Sequence, residues 1–379
     1  MIIGIIKEVQ KYESRVSITP EIVKKLLKNE HSVIIESGSG DKSFYSDSIY
    51  KNAGAKIVES SADVLKESDI LFKVNPPNES EIKQIKSNST IVSFFQIKDE
   101  VKNIPHYINN KLSILSMSHV PRTTLAQNMD ALSSQSNIAG YKATIIGADH
   151  ISKYMPLLMT AAGTIKPSKV LILGAGVAGL AAIANAKRMG AQVYAFDVRP
   201  VVKEQVESLG ANFIEVESDS DEGVGEGGYA KEVSDDYKQK QAELINETIK
   251  SMDIIISTAL IPEKPAPILI TKEMVEIMQP GSAIIDLAAI NGGNCELTKC
   301  DEIISHKDVI IDGRSYLPST MAQDASQLYA KNLFNLFNHI YNGENPLNLE
   351  DEITNGSLIL NNGEVNNEIL SKFLEQEQK

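Results

Sequence analysis

Three glycines define the chemistry open to this chain. In Val170-Leu171-Ile172-Leu173-Gly174-Ala175-Gly176-Val177-Ala178-Gly179 an unbroken apolar run, short enough for a strand buried on both faces, passes directly into a G-x-G-x-x-G turn. Gly174 permits the tight turn, Gly176 lets a phosphate approach bare backbone, and Gly179 lets the following helix pack against the strand. Unpaired N–H groups and the positive dipole end at that helix start suit phosphate, so no basic side chain is required. A second apolar run, Gln192 to Phe196, ends in Asp197, 21 residues after Gly176. A carboxylate there accepts from a ribose 2′-OH and repels a 2′-phosphate. The unit is therefore expected to bind NAD(H) in preference to NADP(H), with Arg199 the neighbour that works against that choice. Glycine turns are common, but strand, turn, helix, strand and acid in order within one βαβ unit are specific.

Other polar candidates lie upstream. Arg15 and Lys73 stand at the ends of apolar elements, where they would hold a carboxylate or serve as ordinary surface cations. Pro121-Arg122 opens a stretch in which Gln127, Asp130, Ser134 and Asn137 recur at spacings of three or four, one polar stripe on a helix. Its small neighbours Ala126, Ala131, Ser133 and Ser136 suggest a close-packed face.

Composition excludes several classes. A net charge of −13 argues against nucleic acid as a partner. Cys295 and Cys300, spaced Cys-x4-Cys without paired histidines, fit no common zinc site, and the six histidines show no ligand spacing, so no metal is expected. Few cysteines and no cleavable leader point to a cytoplasmic chain. Val170 to Ala186 is uncharged over 17 residues, but a membrane span needs about 20 and this run contains the three glycines.

The elements that must position these residues follow from periodicity. Runs at Ile2–Ile6, Ser32–Glu36, Ile70–Val74, Ile91–Phe95 and Leu112–Ser116, separated by helical stretches, predict a first parallel sheet. A linker helix is expected from Leu125 toward Ala148, then the glycine-turn unit with further strands at Asn212–Val216, Ile254–Thr258, Ala283–Leu287 and Asp308–Ile311. The aperiodic acidic stretch 217–236 reads as a long surface loop preceding a helix at Tyr237–Ser251. Ala322–Tyr341 reads as a helix returning to the first domain, and Asn361-Asn362-Gly363 as a hairpin turn. The expected fold is α/β: two Rossmann-like domains with parallel sheets, linked by long helices, with a nucleotide cleft between them. The domains are 1–125 plus 320–379, and 126–319. No internal sequence repeat is visible.

The stretch from Pro121 to Tyr141, PRTTLAQNMDALSSQSNIAGY, resembles a signature of the alpha subunit of the Re/Si-specific, proton-translocating NAD(P) transhydrogenases, in the split form whose first polypeptide carries the NAD(H) site. So do Gly228-Tyr229-Ala230-Lys231-Glu232, the run Ala259 to Pro267 and Ile285-Asp286-Leu287-Ala288, and the likeness reaches Ala330-Lys331-Asn332-Leu333. That family shares its fold with alanine dehydrogenase, so fold alone cannot choose between them. In alanine dehydrogenase a histidine and an aspartate follow two of the strands, where this chain has Gln96 and Asn291. Oxidising an amine requires a titratable group, whereas hydride passing between two nicotinamides requires only orientation.

The resemblance implies that Arg122, Gln127, Asp130 and Ser133 surround the nicotinamide and its ribose, with Gln127 also reaching toward a second nucleotide. It extends the cofactor contacts over Gly174, Gly176, Val177, Ala178, Gly179, Asp197, Val198, Arg199, Thr258, Ala259 and Leu260, and makes 217–236 a mobile loop closing through Tyr229. It further implies a homodimer, with NADP(H) on a beta subunit and with membrane-embedded subunits that hold the chain at the cytoplasmic face of the inner membrane. The competing expectations are a free-standing alanine dehydrogenase-like enzyme and a nucleotide-sensing module without catalysis.

Overall fold

A strand with no polar residue must have both faces covered, and the apolar runs of this chain are covered in that way. The computed structural model describes residues 1–216, 234–261, 264–341 and 346–377. They form two units, Met1–Gln135 with Ser319–Lys379, and Ser136–Pro318.

The first unit opens with strands β1 (Ile2–Ile5), β2 (Ser32–Glu36), β3 (Lys56–Val58), β4 (Ile70–Phe72), β5 (Thr90–Ser93) and β6 (Ser113–Ser116). They lie parallel in the order β3-β2-β1-β4-β5-β6. Successive residues point to opposite faces: Ile70 and Phe72 enter one core with Leu333 and Phe337, while Leu71 enters the other with Ile91 and Tyr107.

The strands of the second unit begin with a small exposed hairpin, β7 (Leu158–Thr160) and β8 (Gly163–Ile165), which among the described residues pair only with each other. The main sheet follows: β9 (Lys169–Leu173), β10 (Gln192–Phe196), β11 (Asn212–Ile214), β12 (Ile254–Ser257), β13 (Ala283–Asp286), β14 (Ile303–His306) and β15 (Val309–Asp312). Its order is β11-β10-β9-β12-β13-β15-β14, with only β14 antiparallel. Val170 and Ile172 face one core, Leu171 and Leu173 the other.

The chain then returns to the first unit. Helix Ala322–Tyr341 buries Tyr329, Leu333, Leu336 and Phe337, and β16 (Leu358–Asn361) and β17 (Glu364–Val365) add an antiparallel edge beyond β6. Asn362 and Gly363, at φ 49° and 82°, make the turn expected of that tripeptide. The parallel strands of both main sheets thus share the 3-2-1-4-5-6 order of doubly wound folds, and both sheets carry antiparallel strands at one edge instead of being wholly parallel.

Three expectations need correction. The helix does not start at Leu125: residues Gln127–Met129 form a 3-10 turn and the α-helix runs Ala131–His150. Ala126 and Met129 turn into the core, Leu125 stays 78% exposed, and Asp130 leaves helical geometry to accept from Ser133 N–H (2.8 Å) and Oγ (2.6 Å). The polar stripe is therefore broken, with Gln127 and Asp130 outside the α-helix. The stretch 217–236 is not loop to its end, because Ser234 caps a helix Asp235–Ile249 whose two leading aspartates suit its positive end. Tyr229 and residues 217–233 lie outside the described residues. Finally, β3, β14 and the β7–β8 hairpin escaped the periodicity reading. They are short and largely exposed, so little apolar patterning marks them.

No helix among the described residues is long and apolar enough to cross a membrane. Within the second unit the helix ending at His150 lies very close to the helix Val177–Arg188: a Cβ on Gly140 would stand 2.0 Å from the Ala178 carbonyl oxygen. Thr144 Oγ1 adds a 3.3 Å bond to the Ala182 carbonyl. Gly140→Ala should accordingly destabilise the protein by about 1–3 kcal/mol, seen as a lowered urea midpoint; an unchanged midpoint would contradict this contact.

Candidate functional site

In the second unit strand order reverses between β9 and β12, and a doubly wound sheet offers its crevice outside the strand ends at such a point. The glycine turn sits there. Gly174 has φ 97°, and a side chain on it would meet Thr258 Oγ1 at 2.7 Å. Its N–H donates to Phe196 O (2.8 Å) and its carbonyl accepts from Thr258 Oγ1 (2.9 Å), tying the ends of β10 and β12 to the turn. Gly179 is equally constrained, because a Cβ would stand 1.9 Å from Gly174 O. Gly176 differs. It is the N-cap of helix Val177–Arg188, offers no side-chain cap, and a Cβ there would have only Arg199 Nη2 near it, at 4.0 Å. The turn is thus a backbone cradle with open space at its middle glycine, which fits a phosphate group.

Asp197, 7% exposed, lies beside the cradle at the end of β10. Its Oδ2 accepts from Ala175 N–H (2.7 Å) and Arg199 Nη2 (2.7 Å), and its Oδ1 from Arg199 N–H (2.9 Å) and Nε (2.8 Å). The carboxylate is therefore already engaged, by the turn it supports and by the guanidinium that spoke against an NAD(H) preference. Val198 packs partly into the core beneath, Val177 and Leu260 are exposed, and Ala259 is clamped by Asn294. Sequence reasoning passed over Asn294, whose only signal was a polar residue after two glycines.

In the first unit Arg122, Gln127 and Asp130 lie on the segment leading into helix Ala131–His150 and Ser133 in its first turn, with Gln127 exposed and Asp130 bonded to Ser133. Asn332 and Asn335, one helical turn apart, both donate to the Asn128 carbonyl at 2.9 Å and fix the turn that carries Gln127. Arg15 and Lys73 are not surface cations. Lys73, 1% exposed, stands between Glu8 (3.5 Å) and Glu81 (3.8 Å). Arg15 makes a bidentate pair with Glu13 (2.8 and 2.7 Å) and reaches Gln135 (2.9 Å). Their charges are balanced by carboxylates of the same unit.

Gln96 is exposed after β5, and Asn291 ends a short 3-10 turn after β13. One ring does lie near the end of β5: His119 Nδ1 is 2.8 Å from Ser116 Oγ, which donates to Phe95 O. Among the described residues no group of three or more His, Cys, Asp or Glu is placed to hold a metal.

The fold and the glycine cradle define a dinucleotide-binding α/β protein, and comparison with known proteins narrows that class. Residues 4–139 match the family described as "Alanine dehydrogenase/PNT, N-terminal domain" and residues 143–368 its C-terminal counterpart. The chain belongs to the alanine dehydrogenase/PNT family, and its relatives include transhydrogenase alpha subunits and alanine dehydrogenases. It is 44% identical to "NAD(P) transhydrogenase subunit alpha" of Haemophilus influenzae, over 96% of this chain and 71% of that one. It is 43% identical to an NAD(P) transhydrogenase subunit alpha polypeptide of Rhodospirillum rubrum, over 96% and 97%. "Alanine dehydrogenase 2" of Staphylococcus aureus is 31% identical over 81% and 77%. A transhydrogenase structure from Sinorhizobium meliloti superposes with TM-score 0.87 at 39% identity, covering 96% and 100% of the two chains.

Burial pushes the Glu13 carboxyl up, but its bonds to Arg15 outweigh this and hold it at about 2, below the ordinary 4.5. A depressed folded-state pKa stabilises the protein above the unfolded value, and that stability is lost as pH falls through the folded one. Glu13→Gln is therefore expected to cost up to about 3 kcal/mol at pH 7, with the difference from wild type shrinking between pH 4.5 and pH 2. Urea titrations across that range check it; a gap independent of pH would contradict the ion pair.

Proposed function

We propose that this chain is the NAD(H)-binding subunit of a proton-translocating NAD(P) transhydrogenase, acting with NADP(H) held on a beta subunit and with membrane-embedded subunits. The observation that carries the reading is the open backbone cradle at Gly176 beside the Asp197 carboxylate, at the point of strand reversal. The names of the Haemophilus and Rhodospirillum relatives support transhydrogenase over the other branch of the family. When bound, NAD(H) supplies a hydride donor or acceptor at its nicotinamide ring. The chain's own residues do the holding. The helix start at Val177, Ala178 and Gly179 offsets pyrophosphate charge, Asp197 with Arg199 serves the adenosine ribose, and Val198, Thr258, Ala259 and Leu260 flank the nucleotide. Arg122, Gln127, Asp130 and Ser133 are assigned to the nicotinamide side, Gln127 also toward the second nucleotide. Hydride exchange between two rings demands orientation and no general acid, with which Gln96 after β5 agrees.

We place the chain at the cytoplasmic face of the inner membrane through its partners, and as a homodimer. The β7–β8 hairpin supports the dimer: Met159 and Ile165, with Leu157 just before β7, are 72%, 48% and 54% exposed at a two-stranded sheet that pairs with no other strand among the described residues. Met159→Lys with Ile165→Lys should convert dimer to monomer in sedimentation; an unchanged dimer would move the interface elsewhere.

Wild type should bind NADH at least tenfold tighter than NADPH by fluorescence titration, and equal affinity would remove the role given to Asp197. Mixed with an NADP(H)-binding subunit, it should exchange hydride with a nucleotide analogue. Gln127→Asn should slow that exchange more than it weakens NADH binding. Robust NAD reduction with L-alanine by the chain alone would favour an amino-acid dehydrogenase instead. Binding without exchange in the mixed assay would favour a sensing module.

A further inference from the structure

Asn294 is fully buried, and every polar atom of its carboxamide is used. Its Oδ1 accepts from Ala259 N–H (3.0 Å), and its Nδ2 donates to Ala259 O (2.9 Å) and Pro267 O (2.8 Å). Only this orientation of the amide satisfies one N–H and two carbonyls. The side chain thus pairs with both backbone groups of Ala259, as a neighbouring strand would, at the place where β12 has ended and, among the described residues, no strand remains to do so.

Asp286 holds Asn294 from behind. It is fully buried at the end of β13, where its Oδ2 accepts from Asn294 N–H (2.8 Å), Cys295 N–H (3.1 Å) and Thr298 Oγ1 (2.6 Å). Its Oδ1 accepts from Ser257 Oγ and Ala288 N–H, both at 3.0 Å. Five donors satisfy one carboxylate. Gly293 makes the approach possible, because a Cβ there would stand 2.8 Å from Asp286 Oδ2. A continuous chain of bonds therefore runs from Asp286 through Asn294 to Ala259, and Thr258 next to it bonds the glycine turn at Gly174.

The two flanks of the turn are held by different devices. Asp197, after β10, lies on one side of β9, and Ala259, after β12, on the other. The acid of a Rossmann unit serves the adenosine ribose, so a dinucleotide crossing the turn lays its nicotinamide half toward β12. We infer that Asn294 is a positioning residue that pre-forms the Thr258–Leu260 backbone for the nicotinamide half of the nucleotide. The inference rests on the dinucleotide reading given above.

The test separates the two halves. Asn294→Asp removes the donors and sets a carboxylate against two carbonyls, while Asn294→Ala removes the clamp without adding charge. In both variants the Kd for NADH should rise about tenfold or more, while that for ADP, which lacks the nicotinamide half, stays within twofold. Equal losses for NADH and ADP, or no loss for either, would overturn the inference. Should the variants not fold, wild type alone decides by amide hydrogen exchange over 257–261. Strong protection without nucleotide is expected of a pre-formed segment; protection arising only on adding NADH would mean that the ligand, not Asn294, orders it. If wild type binds neither NADH nor ADP, the dinucleotide reading itself fails, an outcome distinct from a uniform loss in the variants.

Discussion

A sheet buried on both faces leaves polar side chains nowhere to stand except at the ends of its strands, and this constraint organises the molecule. β9, β12 and β13 are apolar along their lengths and break into polarity as they finish, at the glycine turn, at Ser257-Thr258 and at Asp286. β1 and β4 do the same in the first unit, ending beside Glu8 and Lys73. Strand order reverses at both places, so each unit gathers its buried polar groups where a doubly wound sheet is most open.

The two reversal points are built from opposite materials. That of the second unit is mostly backbone: glycine N–H groups, strand-end carbonyls and a carboxamide that imitates a strand. That of the first unit is a cluster of ions, with Lys73 between two glutamates and Arg15 locked to Glu13. An open backbone cradle accepts an incoming anion at little desolvation cost, whereas a balanced buried ion cluster is satisfied before anything arrives. The same topology has thus been given a receptive centre in one unit and a self-contained one in the other.

Much of this was legible from residues. The runs Val170–Leu173, Ile254–Ser257 and Ala283–Asp286 could only be buried parallel strands, and Asn361-Asn362-Gly363 could hardly be other than a tight turn. What escaped depended on partners distant in sequence. Nothing local distinguishes an exposed Leu125 from a helical one; Asp130 ends the matter by taking Ser133 as its capping partner. Nor does Gly-Gly-Asn reveal that its amide will meet Ala259, 35 residues upstream. Arg15 and Lys73 looked like candidate surface charges because the carboxylates that neutralise them are fixed by folding and not by spacing. The 3-2-1-4-5-6 order shared by the parallel strands is likewise invisible as a sequence repeat, since strand order survives where side-chain identity does not.

The discontinuity of the first unit has a consequence for how the protein is made. A ribosome releases residues 1–135 and then the whole of 136–318 before Ser319 emerges. Until then the first sheet lacks Tyr329, Leu333, Leu336 and Phe337 against one face and β16 along its edge. The inserted unit holds all of its strands and can close during synthesis, while the chain's oldest segment waits with apolar surface and an unpaired strand exposed. Birth order and completion order are inverted, and residues 1–135 reach their final packing only after the inserted unit has been made.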